Sequence, residues 1–178
     1  MNHSKRTDPI TAFRNMETTV KTLAADSAVS AERALNAAIV NADITRGFEE
    51  YLILVDQYYA EDVEVSTDVS PDPLVGKHRL KALLLGFLVP LHMMAEMGGL
   101  WVSIHEVSIP GDSLDEQHSE WSLELIGVTG RRVIATWCAR RTWKQSRVVS
   151  EYHYAHRQDG EALSFADLRI AAPSDPTL

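Results

Sequence analysis

Residues 130–156 read GRRVIATWCARRTWKQSRVVSEYHYAH, and this stretch decides the fold. Both halves are rich in β-branched and aromatic residues, which suit a half-buried sheet surface. The link Lys144-Gln145-Ser146 can close the two halves into a hairpin through a three-residue loop. Side chains alternate between the two faces of a strand, so this loop pairs Trp143 with Arg147 and fixes which residues share a face.

One face of the predicted hairpin mixes small, aromatic and ionisable residues, as the wall of a ligand cavity does. It carries Ala135, Trp137, Ala139, Arg141 and Trp143 on the first strand and Val149, Glu151, His153 and Ala155 on the second. The other face, which includes Tyr152 and Tyr154, is more evenly amphipathic and suits a packed or subunit-facing surface. A two-residue loop would pair the faces differently.

Length and composition exclude several classes of function. A chain of 178 residues suits one domain with a real core. The net charge of −8 argues against a nucleic-acid partner, because no basic stripe is present to neutralise phosphates. Cys138 is the only cysteine, which excludes an internal disulfide. The longest apolar run is too short for a membrane span, and the N-terminus lacks the apolar core of a signal peptide. We therefore expect a cytoplasmic protein with no membrane partner.

The rest of the chain predicts helices followed by a run of strands. Apolar spacing indicates helices over residues 31–42, 45–59 and 77–96, and Pro90 is expected to kink or end the third. Strands are predicted over residues 60–65, 101–109 and 116–126, and the two prolines in residues 70–73 indicate a loop. This order is typical of an α+β fold, with N-terminal helices packed on one face of a curved antiparallel sheet. We expect a partly helical extension over residues 1–29, one domain over 30–169 and a disordered tail over 170–178.

Several short motifs together resemble the nuclear-transport-factor-2-like superfamily, and within it the SnoaL-like proteins of the polyketide cyclase type. They are YAEDVEV at 59–65, LVG at 74–76, GD at 111–112, and the hairpin pair RTW at 141–143 and RVVSE at 147–151. The resemblance covers roughly residues 31–157. It implies a cystatin-like cone with a pocket inside and a homodimer formed through the sheet. Members include cyclases, isomerases, dehydratases, epoxide hydrolases and binding modules, so no single activity is implied.

The ketosteroid isomerases of this superfamily carry one catalytic aspartate just after the first strand and a second pocket aspartate on the penultimate strand. Matched without gaps, these positions fall on Thr67, with Asp68 beside it, and on Ala139. The resemblance therefore does not extend to isomerase chemistry of that particular kind.

His153 and Glu151 are the first candidates for catalysis. They lie two residues apart on one strand and share a face, so the carboxylate can hold the tautomer of a histidine acting as general base. Cyclisation or isomerisation without a cofactor needs such a base to remove a proton next to a carbonyl, and a donor for the enolate oxygen. Trp137 would contact an apolar ring, and Arg141 lies diagonally near Glu151. The alternative is a structural ion pair between Arg141 and Glu151, with His153 packed beside it.

Three further residues are candidates. Asp68 follows the first strand and could act as a base at the mouth of the cone, or simply cap the next loop. Glu120 with Arg141 would be the set for water-adding chemistry, and His105 is a further candidate ligand contact. The histidines are not spaced as metal ligands, so neither a metal nor a cofactor is expected.

The sequence thus predicts a protein that binds a small apolar carbonyl compound. The first hypothesis is a cofactor-free cyclase or isomerase, with His153 as base and Glu151 orienting it. The second is a non-catalytic ligand-binding or dimerisation module, and the third is a dehydratase or epoxide hydrolase. The first two are separated by whether His153, Glu151 and Trp137 line an enclosed cavity.

Overall fold

The computed structural model describes residues 28–44, 46–96, 98–109, 113 and 115–161. Nearly all of the predicted N-terminal extension lies outside these ranges, as does the predicted tail. The described helices are α1 over residues 28–41, α2 (Glu49–Tyr58) and α3 (Lys77–Glu96). The described strands are β1 (Tyr59–Thr67), β2 (Ser70–Val75), β3 (Leu100–Ile109), β4 (Glu116–Gly127), β5 (Arg132–Lys144) and β6 (Arg147–Gly160). The predicted α+β class is confirmed.

The strands form one sheet in the order β2-β1-β6-β5-β4-β3. Neighbours are antiparallel except for β1 and β6, which run parallel. The predicted hairpin, β5 with β6, therefore lies in the middle of the sheet. Two clusters of buried apolar side chains hold the helices on one face. The first includes Leu35, Val55, Val63, Leu80 and Val148, and the second Ile44, Leu88, Leu91, Ala95 and Leu100.

The turn between β5 and β6 differs from the prediction. Lys144 pairs with Arg147, so the loop has two residues rather than three. Gln145 and Ser146 have φ angles of 51° and 61°, as a type I′ turn requires at both central positions. This turn matches the right-handed twist of the flanking strands, and it forms here although neither central residue is glycine.

A β-bulge next to this turn determines which side chains face the helices. The register shifts by one residue between Thr142 and Trp143, so Arg141 pairs with Glu151. The bulge offsets the shorter loop, and Glu151 and His153 keep the inward orientation that the longer loop predicted. The prediction for Val149 is wrong, because its neighbour Val148 is the fully buried residue.

Two other elements depart from the sequence patterns. The predicted loop over residues 70–73 is part of strand β2, which lies at the edge of the sheet and so tolerates prolines. Helix α3 continues past Pro90 to Glu96, with Leu88 and Leu91 buried on either side of the proline. None of the helices described has the length and apolar character needed to cross a bilayer.

The outer face of the sheet, away from the helices, carries an aromatic ladder. Tyr152 and Tyr154 stack with ring centroids 5.6 Å apart, and the Arg140 guanidinium lies 5.4 Å from the Tyr152 centroid. The predicted homodimer through the sheet would use this face, and it stays a prediction.

Candidate functional site

A cavity of about 880 Å³ lies between the helices and the inner face of the sheet. Its walls are mostly apolar, and members of both buried clusters line it. Tyr59, Arg141, Glu151 and His153 contribute polar groups to the same lining. A mostly apolar hollow of this size with a few convergent polar groups is typical of small-molecule sites.

Glu151 is the hub of the polar groups. Its Oε1 lies 2.8 Å from Nε of Arg141 and 2.9 Å from Nε2 of His153, and its Oε2 accepts a 2.8 Å hydrogen bond from the Tyr59 hydroxyl. Burial alone would raise the pKa of Glu151, but Arg141, His153 and Tyr59 together hold it far below its ordinary value. The carboxylate is therefore ionised and accepts hydrogen bonds from all three groups.

The ionised Glu151 fixes the roles of its two ring-bearing neighbours. An ionised carboxylate only accepts, so Nε2 of His153 carries a proton, and in the neutral tautomer with that proton Nδ1 is the acceptor. Burial, and then the charge of Glu151, raise the pKa of Tyr59 far above its ordinary value, so its hydroxyl stays protonated. The His153 side chain keeps 32% of its accessible surface, whereas the Glu151 side chain keeps 4%.

Arg141 is held on its other side by helix α1. Its Nη1 donates to Oε1 of Glu32 at 2.8 Å and to Oδ1 of Asn36 at 2.7 Å. Burial alone would lower the pKa of Arg141, but Glu151, Tyr59 and Glu32 raise it well above the ordinary value. Among the described residues, Nη2 of Arg141 makes no hydrogen bond. Every fully buried side-chain nitrogen in the described part of the chain has a hydrogen-bond partner, so Nη2 is not fully buried. Because Arg141 lines the cavity, we infer that Nη2 reaches it.

Two tryptophans form the wall beside Arg141. Trp121 and Trp137 are directly paired across β4 and β5, and their rings stack with centroids 6.2 Å apart. The Arg141 guanidinium lies 5.6 Å from the Trp121 centroid, a cation–π contact that adds to its fixed position. Trp121 also donates from Nε1 to the buried Ser119 hydroxyl at 2.8 Å. The cavity thus presents flat aromatic surface next to its polar groups.

The structure brings together four of the seven predicted site residues: His153, Glu151, Trp137 and Arg141 all line the cavity. Glu120 and His105 do not. Glu120 pairs with Cys138 and is exposed, and His105 is exposed on β3, where it contacts a small crevice beside α1. The prediction that Glu120 and His105 line the cavity is therefore wrong, because strand alternation turns their side chains away from it. The predicted set of Arg141 with Glu120 is therefore not assembled.

Asp68 lies in the turn between β1 and β2 and is not part of the cavity lining. Its Oδ1 lies 2.7 Å from Nδ1 of His156, and its Oδ2 accepts a 2.7 Å hydrogen bond from the amide of Ala155. Its own amide donates to the carbonyl of His153 at 3.0 Å. Asp68 therefore ties this turn to the strand that carries His153, and its predicted catalytic role stays a prediction.

We expect Asp68→Ala to speed hydrogen exchange at the Ala155 amide, measured by NMR and corrected for the intrinsic rate. The hydrogen bond to His156, with help from Ala155, holds the pKa of Asp68 below its ordinary value of 3.8. A lowered carboxyl pKa means that the interaction is present above the ordinary value and is lost as the pH falls through the folded value. Protection in the wild-type protein should thus decline at acidic pH, whereas the exposed Asp62→Ala should change nothing. Equal protection in Asp68→Ala would show that the tie is unimportant.

Several site residues were not predicted from the sequence. The helical spacing of apolar residues predicts that Tyr59 ends a helix, whereas its backbone is extended, with φ −102° and ψ 147°. Glu32 and Asn36 lie in an alanine-rich helix, whose composition does not indicate a site. Their signal was the spacing of four residues, which puts two polar side chains on the same helix face as the buried Leu35.

No model of a protein family matches this chain, and no curated protein matches it. Solved structures do. A candidate polyketide cyclase from Xanthomonas campestris pv. campestris has 14% identity and a TM-score of 0.50, over 74% of this chain and 91% of its own. A computationally designed 17-OHP binder also has 14% identity and a TM-score of 0.50, over 76% and 98%. An NTF2-like protein of unknown function from Burkholderia xenovorans LB400 has 18% identity and a TM-score of 0.48, over 83% and 95%. At these identities the likeness concerns the fold and not the activity, and the chain has the nuclear-transport-factor-2-like fold.

Proposed function

We propose that the protein binds a small, largely apolar carbonyl compound in the cavity and catalyses a proton transfer next to the carbonyl without a cofactor. The observation that carries this proposal is the contact between His153 and the ionised Glu151 in the lining of a mostly apolar hollow. A histidine held by a carboxylate is the usual arrangement of a general base that works near neutral pH.

In this mechanism His153 takes the proton. Glu151 binds Nε2–H, so Nδ1 offers the lone pair that removes a proton from the carbon next to the carbonyl. The imidazolium that forms is stabilised by the same carboxylate, 2.9 Å away. The proton can then be returned to another carbon, which isomerises the ligand, or the enolate can attack a second carbonyl, which closes a ring.

The enolate oxygen needs a donor, and Arg141 supplies it. Its Nε and Nη1 are used by Glu151, Glu32 and Asn36, which leaves Nη2 as the group available to a ligand. A fixed donor aimed at developing charge stabilises a transition state without reorganising, and it does so most strongly where water is excluded. The stacked rings of Trp121 and Trp137 would contact the apolar body of the ligand.

The direct test is deuterium incorporation from D₂O into a panel of enolisable ketones and esters, followed by NMR. We expect exchange above the buffer rate for the compounds that bind. Ile104→Trp, which places an indole in the cavity wall, should abolish both binding and exchange. The matched control is Val107→Trp, on the same strand but 63% exposed and outside the cavity lining, which should retain both.

The outcomes separate the remaining hypotheses. Compounds that bind in the wild-type protein but never exchange would favour the non-catalytic binding module. Exchange that survives Ile104→Trp would place the chemistry outside the cavity and contradict the proposal. Epoxide or dehydration chemistry has less support, because Glu120, its predicted carboxylate, is exposed away from the cavity.

A further inference from the structure

Helix α1 supplies a buried carboxylate that the proposed reaction does not use. Glu32 is 3% exposed and is not part of the cavity lining. Its Oε1 accepts from Nη1 of Arg141 at 2.8 Å and from Nδ2 of Asn36 at 3.1 Å, and its Oε2 accepts from Nε1 of Trp143 at 2.8 Å. Burying a second carboxylate beside a single guanidinium costs free energy, because each charge loses its hydration. This cost suggests that Glu32 has a role at the site.

We propose that Glu32 is a positioning residue: it does not touch the ligand, but it fixes the orientation of Arg141 and, through Arg141, the Glu151–His153 pair. The effect of Glu32 on catalysis rests on the proposed function. Its effect on the orientation of Arg141 can be tested without any substrate.

The shape of the guanidinium explains how this works. Its N–H groups lie in one rigid plane, so acceptors on two of its nitrogens fix the direction of the third. Glu151 holds Nε from the strand side, while Glu32 and Asn36 hold Nη1 from α1. The direction of Nη2 is therefore set by Glu151 on one side and, on the other, by Glu32 and Asn36, which lie outside the cavity lining.

Glu32 is itself held so firmly that a neutral amide of the same size cannot replace it. Both of its oxygens accept hydrogen bonds, from Arg141 and Asn36 on one side and from Trp143 on the other. Glutamine has only one acceptor oxygen, so its NH₂ group must face either the Arg141 or the Trp143 donor. Glu32→Gln thus preserves the side-chain volume, but it places a buried NH₂ group against the N–H of either Arg141 or Trp143.

The test combines NMR with kinetics on the full chain. In the wild-type protein the Nε–H proton of Arg141 and the Nε2–H proton of His153 should give resolved signals, since both are bound to the buried Glu151. Glu32→Gln should broaden or remove both signals. For a compound that exchanges in the deuterium assay, kcat should fall about tenfold or more while KM stays nearly unchanged, because Glu32 does not contact the ligand.

The matched control is Glu124→Gln, which removes a carboxylate paired with Arg132 in another part of the sheet and should leave signals and kinetics unchanged. If Glu32→Gln does not fold, Glu32→Asp decides. Its carboxylate is one methylene shorter and cannot reach Trp143 and Arg141 at once, so the same signals should weaken in a folded protein.

Signals that persist in a folded Glu32→Gln, or in Glu32→Asp where the glutamine variant does not fold, would overturn the positioning role. A protein that shows no exchange with any compound but loses the two signals in Glu32→Gln would keep the positioning role and contradict only the proposed function. A fall in kcat that is accompanied by an equal rise in KM would instead mean that Glu32 affects ligand binding, which also contradicts the inference.

Discussion

Replacing Arg141 by methionine is expected to lower the free energy of unfolding by about 3–5 kcal/mol, because it leaves two buried carboxylates without their shared partner. Glu32 and Glu151 are each 3% exposed, so neither carboxylate can regain its hydration. Urea denaturation at pH 7 measures the loss. Arg140→Met is the control on the preceding residue of the same strand. Its side chain is 47% exposed on the outer face, so a loss below about 1 kcal/mol is expected.

The pH dependence of this effect has a definite sign. The pKa of Glu151 in the folded protein lies far below its ordinary value of 4.5. Its contribution to stability is therefore complete above that ordinary value and is lost as the pH falls toward the folded value. Without Arg141 this contribution shrinks, so the difference between the wild-type protein and Arg141→Met should be largest near neutral pH and should narrow in acid. Equal losses for Arg141→Met and Arg140→Met would contradict the buried cluster.

In the hairpin, the sequence predicts which residues face inward, but it does not predict the loop length or the bulge. Alternation correctly places Glu151 and His153 on one inward face, yet the predicted loop was one residue too long. The bulge that compensates depends on distant contacts. Arg147 donates from Nη1 to the carbonyls of Asp56 and Gln57 at the end of α2, and Val148 fills the core beneath. A bulge fixed by contacts some 90 residues away leaves no local pattern.

In the candidate site, too, residues close in the sequence are predictable and distant ones are not. Glu151 and His153 are separated by two residues, and strand periodicity is enough to bring them together. Tyr59 lies 92 residues from its partner Glu151 in the sequence, and Glu32 lies 109 residues from its partner Arg141. Their side chains read as ordinary helix residues until the sheet order is known, because the parallel pairing of β1 with β6 is what places Tyr59 beside Glu151.

Replacing His153 by glutamine is expected to lower the rate of deuterium exchange 10²- to 10⁴-fold, the usual contribution of a positioned general base. Glutamine keeps a hydrogen-bond donor for Glu151 but has no group that can take up a proton near neutral pH. The His153 side chain is partly exposed, so the fold should survive, and binding should change far less than kcat. Measuring kcat and KM with any active compound separates these two effects.

The control for this prediction is His105→Gln, because that histidine is exposed on β3 and outside the cavity. Its exchange rate should equal that of the wild-type protein. A His153→Gln protein that exchanges at the wild-type rate would remove the histidine from the mechanism. The Arg141–Glu151 pair would then be a structural ion pair beside a binding cavity.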